Sequence, residues 1–411
     1  MHLFSKQDLL AGLNIISNAL SLFVIYKVVI SIANPIDAGI WAYVMGVAYA
    51  IKIADFGLAA LIPKYIAKSI KNSSKIALTC GLVTLFLASV FSLLCDILLA
   101  KYGGFLVGND PNGIVEEIST LAIFAVFFSI LANYLNFTLD GFFKSHLRCM
   151  NMIASNLCYV IFVFVFASDI SDVVVCYLLS QIINFIIALI LSSLECKNYE
   201  FGLLSIRNFK TIVGDSWRMQ TISIFSLAGD LMTKTAISVW TGVSNVLFYE
   251  MATKVITQIR TIFVAIAQVK LPTLSKNTHV VTTTQTKFAV KLYFKYGLLV
   301  FMCIAISSPI ISLLWIGSVN EILVFTLILM GVTNIFLAPI APIYFYNIAL
   351  NKMNINLIAQ LIIAMINLIL LGLIFGTTSY KLVIISFMIA LLLGSSYQYI
   401  IFYDFKAIKK N

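Results

Sequence analysis

Charge is what this sequence has least of. Asp, Glu, Lys and Arg make up 11% of its 411 residues, against about 25% in ordinary soluble domains. A water-soluble globule of this length must cover itself with polar side chains, and here there are too few. A soluble enzyme, a nucleic-acid-binding domain and a disordered scaffold are therefore excluded. Reactive side chains are also sparse. The seven cysteines (Cys80, Cys95, Cys149, Cys158, Cys176, Cys196 and Cys303) are odd in number, scattered and mostly inside apolar runs. No paired spacing among them suggests a disulfide framework or a zinc site, so they read as buried, inert thiols. His2, His146 and His279 are too far apart in sequence to suggest a metal cluster, and they fall in expected loops or at the N-terminus. No Gly-rich Walker loop, Rossmann fingerprint or HExxH zinc motif is present. No cofactor is expected, and work done by the chain must draw on an ion gradient, the membrane potential or a substrate gradient.

What the sequence has instead is apolar length. Apolar and aromatic residues make up 61% of it, against about 45–50% in soluble domains. The first long stretch, Leu9 to Ile32, exceeds the apolar core of a cleaved signal peptide and reads as a permanent span. Runs of about 20 apolar residues place spans near 9–32, 39–62, 76–100, 118–138, 149–167 and 173–193. A polar stretch from Ser192 to Arg218 follows, and six more spans lie near 219–241, 247–270, 289–315, 321–346, 354–375 and 382–403. The expected fold is an all-α integral membrane protein of twelve transmembrane helices. These would form two six-helix bundles, residues 1–200 and 201–411, around a central cleft. Even span numbers make the halves parallel repeats about an axis along the membrane normal. Both second spans end alike, in Pro63-Lys64-Tyr65-Ile66-Ala67-Lys68 and Pro272-Thr273-Leu274-Ser275-Lys276.

Loop charges set the orientation. With the N-terminus in the cytoplasm, 19 basic loop and terminal residues fall inside, among them Lys64, Lys68, Lys71, Lys75, Lys144, Arg148, Lys197 and Lys352. Only Lys101 and Lys381 fall outside, with Asp37, Asp110, Glu116, Glu117, Asp169, Asp172 and Glu321. Cytoplasmic loops are enriched in Lys and Arg, so both termini are expected inside. Trp41, Trp217, Trp240 and Trp315 all lie at span ends, as interfacial anchors do.

Ionisable residues within spans are the informative ones: Lys27, Lys52, Asp55, Asp230, Lys234, Glu250, Lys254 and Arg260. Each costs about 2.5–3.5 kcal/mol at the bilayer centre, so most must face one another or water. Ser223, Ser226, Asp230 and Lys234 share one face of span 7. Glu250, Lys254, Thr257 and Thr261 form a stripe on span 8, with Thr253 and Arg260 beside it. Lys52 and Asp55 share a face of span 2, and Asn14, Asn18 and Ser21 one side of span 1. These stripes are suited to lining a polar cavity. Lys27 and Lys295 lie near span ends and read as snorkelling. Asp230 with Lys234, and Glu250 with Lys254, also fit plain intrahelical neutralising pairs. Arg260 has no acid within four positions.

Four segments resemble the bacterial O-antigen or polysaccharide flippases, the polysaccharide transporter branch of the superfamily that also holds multidrug exporters. They are Ala54-Asp55-Phe56-Gly57-Leu58; Phe248-Tyr249-Glu250-Met251-Ala252 together with Asp230; Pro272-Thr273-Leu274-Ser275; and Ala338-Pro339-Ile340-Ala341-Pro342-Ile343-Tyr344. Ala59 stands where the family often has a second Gly. The resemblance implies a non-enzymatic flippase of the bacterial inner membrane, serving lipopolysaccharide O-antigen or polysaccharide biosynthesis. Its cargo would be an undecaprenyl-pyrophosphate-linked oligosaccharide, carried from the cytoplasmic to the periplasmic leaflet by alternating access. Arg260, Lys234 and Lys52 would bind the pyrophosphate, and Asn14 and Asn18 the sugars. Asp55 or Asp230 would take a proton or Na⁺ as coupling ion, and Glu250 and Lys254 would gate release. Expected partners are the lipid-linked substrate, membrane lipids, a polysaccharide polymerase and a chain-length regulator, with no nucleic acid and the chain itself a monomer. An organic-cation exporter is the rival in fold, disfavoured by the cationic bias of the cavity residues. A membrane polysaccharide polymerase is the rival among enzymes, disfavoured by the short outer loops.

Overall fold

The structure, a computed structural model, describes residues 6–107, 110, 113–197, 202–269, 279–350 and 352–404. Every regular element among them is helical. In chain order the helices are α1 (Lys6–Ile32), α2 (Pro35–Tyr49), α3 (Leu58–Lys68), α4 (Ser73–Val107), α5 (Ile114–Gly141), α6 (Ser145–Phe166) and α7 (Ile170–Cys196). There follow α8 (Ile206–Ala236), α9 (Ser244–Val269), α10 (His279–Ile316), α11 (Glu321–Leu337), α12 (Ile340–Ala349), α13 (Met353–Leu373) and α14 (Tyr380–Asp404). Helices are the natural answer for a chain in hydrocarbon, where each backbone N–H and C=O must find its partner within its own segment.

Among the described residues, nine helices are long and apolar enough to cross a membrane, and the pair α11–α12, bent by 40°, makes a tenth. The remaining two spans expected from sequence miss that measure for physical reasons. Span 39–62 is broken: α2 ends in a 3₁₀ segment, Ala50–Asp55, and α3 begins only after Phe56 and Gly57. Span 247–270 corresponds to α9, where Glu250, Lys254, Gln258 and Arg260 lower the hydropathy. The α11–α12 bend falls at Ala338-Pro339, where the proline lacks the N–H needed to continue the ladder. The motif at Pro272–Ser275, the basic residues Lys270, Lys276, Lys406, Lys409 and Lys410, and His2 lie outside the described residues.

The chain divides into two compact units, residues 1–223 and 224–411, the division falling within α8. In the first unit α5 is the central helix. It packs against α2, α3, α4, α6 and α7 and is buried almost all round, as a helix without a polar face must be. Three buried carboxamides stitch it to its neighbours. Asn151 of α6 donates to Asn136 of α5 (3.1 Å) and to Asn184 of α7 (2.8 Å), and Asn136 donates to Asn184 (3.2 Å). In the second unit α11 takes the corresponding place, against α9, α10 and α14. The fourth span of each set of six is thus the one at its unit's centre.

Loop-end helix starts are capped by short polar side chains. Asn34 accepts from the N–H groups of Ile36 and Asp37, Asp110 from those of Ile114 and Val115, and Asn320 from that of Leu323. Each satisfies backbone donors that a helix start leaves without intrahelical partners.

The break in the second span is set by local chemistry. Phe56 (φ 53°) and Gly57 (φ 67°) both adopt the left-handed region. The Asp55 carboxylate accepts the Gly57 N–H at 2.8 Å. A Cβ on Gly57 would stand 3.1 Å from the Ser216 carbonyl oxygen and 3.2 Å from Met219 Cβ. Gly57→Ala is therefore expected to cost about 1–3 kcal/mol from backbone strain alone. The check is a lowered thermal midpoint of the purified protein in detergent; an unchanged midpoint would show that the turn holds a side chain at this position without strain.

Candidate functional site

The α8–α9 hairpin gathers most of the in-span charge. After α8 the chain passes through a π-helical turn, Ile237–Thr241, and reverses at Gly242 (φ 102°). The Asn245 amide ties the reversal by donating to the Thr241 carbonyl at 2.8 Å. This brings the start of α9 beside the end of α8.

Lys234 is the centre of what results. Its ammonium lies 2.6 Å from an Asp230 oxygen, one helical turn earlier, and contacts Glu250 across the hairpin. The Tyr249 hydroxyl donates to the other Asp230 oxygen at 2.8 Å. Lys254, 3.8 Å from Glu250, extends the chain of charges outward. Lys234 is 5% exposed and Glu250 2%. Two acids and two lysines sum to zero, so the group is neutral as a whole. Partners from other helices close it in. Asn367 of α13 donates to the Gly229 carbonyl (3.0 Å) and to Thr233 Oγ1 (3.1 Å), and the Phe387 ring of α14 meets Tyr249 edge-on.

Arg260 stands apart. It lies six residues beyond Lys254 on α9, about 9 Å along the axis at 1.5 Å per residue, and is exposed. Among the described residues no ion pair or hydrogen bond engages its guanidinium. The neighbouring Thr261 hydroxyl turns back to the Thr257 carbonyl, and Thr253 Oγ1 approaches the sulfur of Met330 at 3.9 Å.

The other sequence-predicted residues belong to the first unit. Lys52 sits with its ammonium 4.4 Å above the Tyr49 ring centroid. The Tyr49 and Tyr177 hydroxyls share a 2.8 Å hydrogen bond, and the Tyr159 ring packs on Tyr177. Asp55 caps the broken turn described above. Asn14 points its amide at the Met152 sulfur of α6 (3.7 Å), and its buried amide oxygen has no hydrogen-bond partner. Asn18 is half-buried on α1.

Helical spacing brought Asp230 to Lys234 and Glu250 to Lys254. It did not reveal that Lys234 also holds Glu250, which depends on how the hairpin folds. Tyr249, Asn367 and the Tyr49–Tyr159–Tyr177 cluster were given no role from sequence. The available signal was weak: polar-tipped side chains inside apolar runs, each of which needs a hydrogen-bond partner when buried.

Comparison with known proteins gives a consistent result. The model of a family described as polysaccharide biosynthesis protein matches residues 9–278. No curated protein matches the chain at significant similarity. Among solved structures, an inward-facing multidrug resistance MATE family transporter of the MOP superfamily superposes with TM-score 0.71 at 13% identity, covering 95% of this chain and 96% of that one. The lipid II flippase MurJ in an inward closed conformation gives TM-score 0.67 at 14% identity, over 95% and 86%. A MOP superfamily transporter from Pyrococcus furiosus gives TM-score 0.61 at 15% identity, over 95% and 96%. At these identities the likeness is one of fold: the all-α fold of the MOP transporters.

The buried network makes its own prediction. Removing Lys234 leaves Asp230 and Glu250 without their shared cation, and breaking a buried pair costs about 3–5 kcal/mol. Lys234→Met should lower thermal stability in detergent accordingly, and adding Glu250→Gln should restore part of the loss. Additive losses in the double variant would show that the two residues do not act as a pair.

Proposed function

The chain belongs to the polysaccharide biosynthesis protein family, and from that premise we propose that it is a flippase for a lipid-linked oligosaccharide. The cargo we assign is an undecaprenyl-pyrophosphate-linked O-antigen or related repeat unit, moved from the cytoplasmic to the periplasmic leaflet of the bacterial inner membrane. A sugar head group with a pyrophosphate cannot enter hydrocarbon without hydrogen-bonding walls, while its lipid tail is already at home there.

The observation that carries the reading is Arg260, an exposed arginine well inside α9 with no acid engaged to it among the described residues. A cation at that depth is expensive against lipid, so it belongs on the bundle interior or a water-filled cavity, where it can meet an anionic cargo. A guanidinium matches pyrophosphate oxygens with two parallel hydrogen bonds. Lys52 and Lys234 join Arg260 as phosphate contacts in this proposal, and Asn14 and Asn18 contact sugars. Lys234 reaches cargo only when one of its carboxylates lets go. Asp230 or Asp55 is the carboxylate that takes up a proton or Na⁺, and protonating Asp230 would loosen its hold on Lys234. Glu250 and Lys254 gate release as the site is exposed alternately to the two leaflets. The chain works as a monomer, with both termini cytoplasmic, alongside a polymerase and a chain-length regulator. The fold's likeness to MATE transporters supplies the rival, an organic-cation exporter, but such a cargo would be repelled by Arg260.

Arg260→Ala removes a charge-assisted contact worth about 1.5–3 kcal/mol, so flux should fall about 10- to 100-fold, with Arg260→Lys retaining part of it. In cells, lipid-linked precursor should accumulate and surface polysaccharide decline. Normal amounts of both with Arg260→Ala would remove Arg260 from the mechanism and this reading with it.

A further inference from the structure

The first unit carries a second feature that the transport reading does not use. Between α4, α5 and α7 lies a groove of about 260 Å³, smaller than the roughly 300–1,000 Å³ pockets that hold compact drug-sized ligands. Its walls are Leu78, Leu82 and Leu85 of α4, Leu131 of α5, and Phe185 and Leu189 of α7. Leu78, Leu82, Leu85 and Leu189 are exposed at the rim, so the groove opens on the outer apolar surface of the unit. Gly81 and Tyr134 form the floor. A Cβ on Gly81 would stand 3.2 Å from the Tyr134 ring, whose hydroxyl is held by the Ala77 carbonyl at 2.7 Å.

The two ends differ in chemistry. At one end the Ser74 hydroxyl donates to the Cys196 carbonyl at 2.8 Å, with Ser192 and Ser193 beside it; Leu85 and Phe185 mark the other. From Ser74 to Leu85 the groove follows α4 for about 16 Å at 1.5 Å per residue. That is close to half the roughly 30 Å of hydrocarbon in a bilayer, or one leaflet.

The serine end is basic. Lys71 precedes α4 and Lys197 follows α7, both exposed, and the Lys75 stem runs along Gly202 at 3.5 Å from where that residue's Cβ would stand. Among the described residues, Glu195 at this end is paired with Lys144 at 3.4 Å and Asp140 with Arg148 at 2.9 Å. An apolar slot one leaflet long with lysines at its polar end matches a single ligand chemistry: a fatty acyl chain hung from an anionic phosphate head group.

We propose that the groove between α4, α5 and α7 binds one acyl chain of an acidic bilayer phospholipid, with Lys71, Lys75 and Lys197 meeting its phosphate. The site is distinct from Arg260 and the α8–α9 network, which belong to the second unit, and it stands whether or not the chain is a flippase. A polyisoprenoid cargo tail is longer than one leaflet and overruns the groove.

Native mass spectrometry of the purified full chain, equilibrated in micelles with equal phosphatidylglycerol and phosphatidylethanolamine, tests the assignment. One phosphatidylglycerol should be retained in preference to phosphatidylethanolamine. Each of Lys71→Gln, Lys75→Gln and Lys197→Gln should reduce the preference about fivefold, since a basic residue near an anionic head group contributes about that factor. Leu82→Trp, which fills the slot from its rim, should abolish retention of either lipid. Leu189→Trp, from the facing wall, serves where Leu82→Trp fails to fold. Equal retention of the two lipids, retention undiminished by a filled slot, or displacement by an equimolar polyprenyl phosphate would each overturn the proposal.

Discussion

Hydrocarbon offers no hydrogen bonds, and the placement of Lys234 between Asp230 and Glu250 follows from that constraint. An ammonium on α8 and a carboxylate on α9 would each be costly alone. Brought together they fix the register of the two helices, because sliding either by a turn would part Glu250 from Lys234 and Tyr249 from Asp230. The π-helical turn at Ile237–Thr241 and the reversal at Gly242 are the backbone adjustments that let the hairpin meet at this register. Asn367 and Phe387 then bring α13 and α14 onto the same hairpin. Removing the network would therefore loosen four helices, not one ion pair.

The same constraint explains where helices break. A break frees backbone groups, which must be satisfied locally. After α2 the Asp55 carboxylate takes the Gly57 N–H, so the left-handed turn at Phe56 and Gly57 carries its own acceptor. Before α12 the break falls at Pro339, which has no N–H to leave orphaned, and the Ala341 N–H returns to the Ala338 carbonyl. Both breaks lie in segments whose sequences resemble family motifs. Those motifs read most simply as backbone devices: Asp-Phe-Gly shapes a turn, and Ala-Pro permits a bend.

Much of the fold was legible because apolar length is a one-dimensional signal. Among the described residues, ten of the expected spans appear as long apolar helices or a bent pair, and the two that do not are the ones carrying a turn motif or several charges. Pairing within one helix was legible too, since Asp230 and Lys234 are one turn apart. Pairing between helices was not. Periodicity tells which face a residue occupies and says nothing about what that face meets, so Lys234 with Glu250, Tyr49 with Tyr177, and the Asn136–Asn151–Asn184 cluster emerged only in three dimensions. The groove along α4 was invisible for the same reason, being a property of three helices together.

Sorting cations by their company separates two roles that composition alone merges. Lys234 is saturated by two carboxylates, and its electrostatic effect at a distance is largely cancelled. Arg260 has no such partner among the described residues to cancel its charge. On the proposed reading this division is useful to a transporter. If every in-membrane lysine and arginine were open to a pyrophosphate, each would add its attraction and the cargo would be held too tightly to leave. Keeping Lys234 committed to acids restricts attraction at rest to a few sites. On that proposal a proton or Na⁺ arriving at Asp230 would loosen one of the two holds on Lys234, leaving the Glu250 contact, during one part of the cycle only. Differential engagement of this kind is what a ligand needs to shift a protein between states, because one bound equally well in every state shifts nothing.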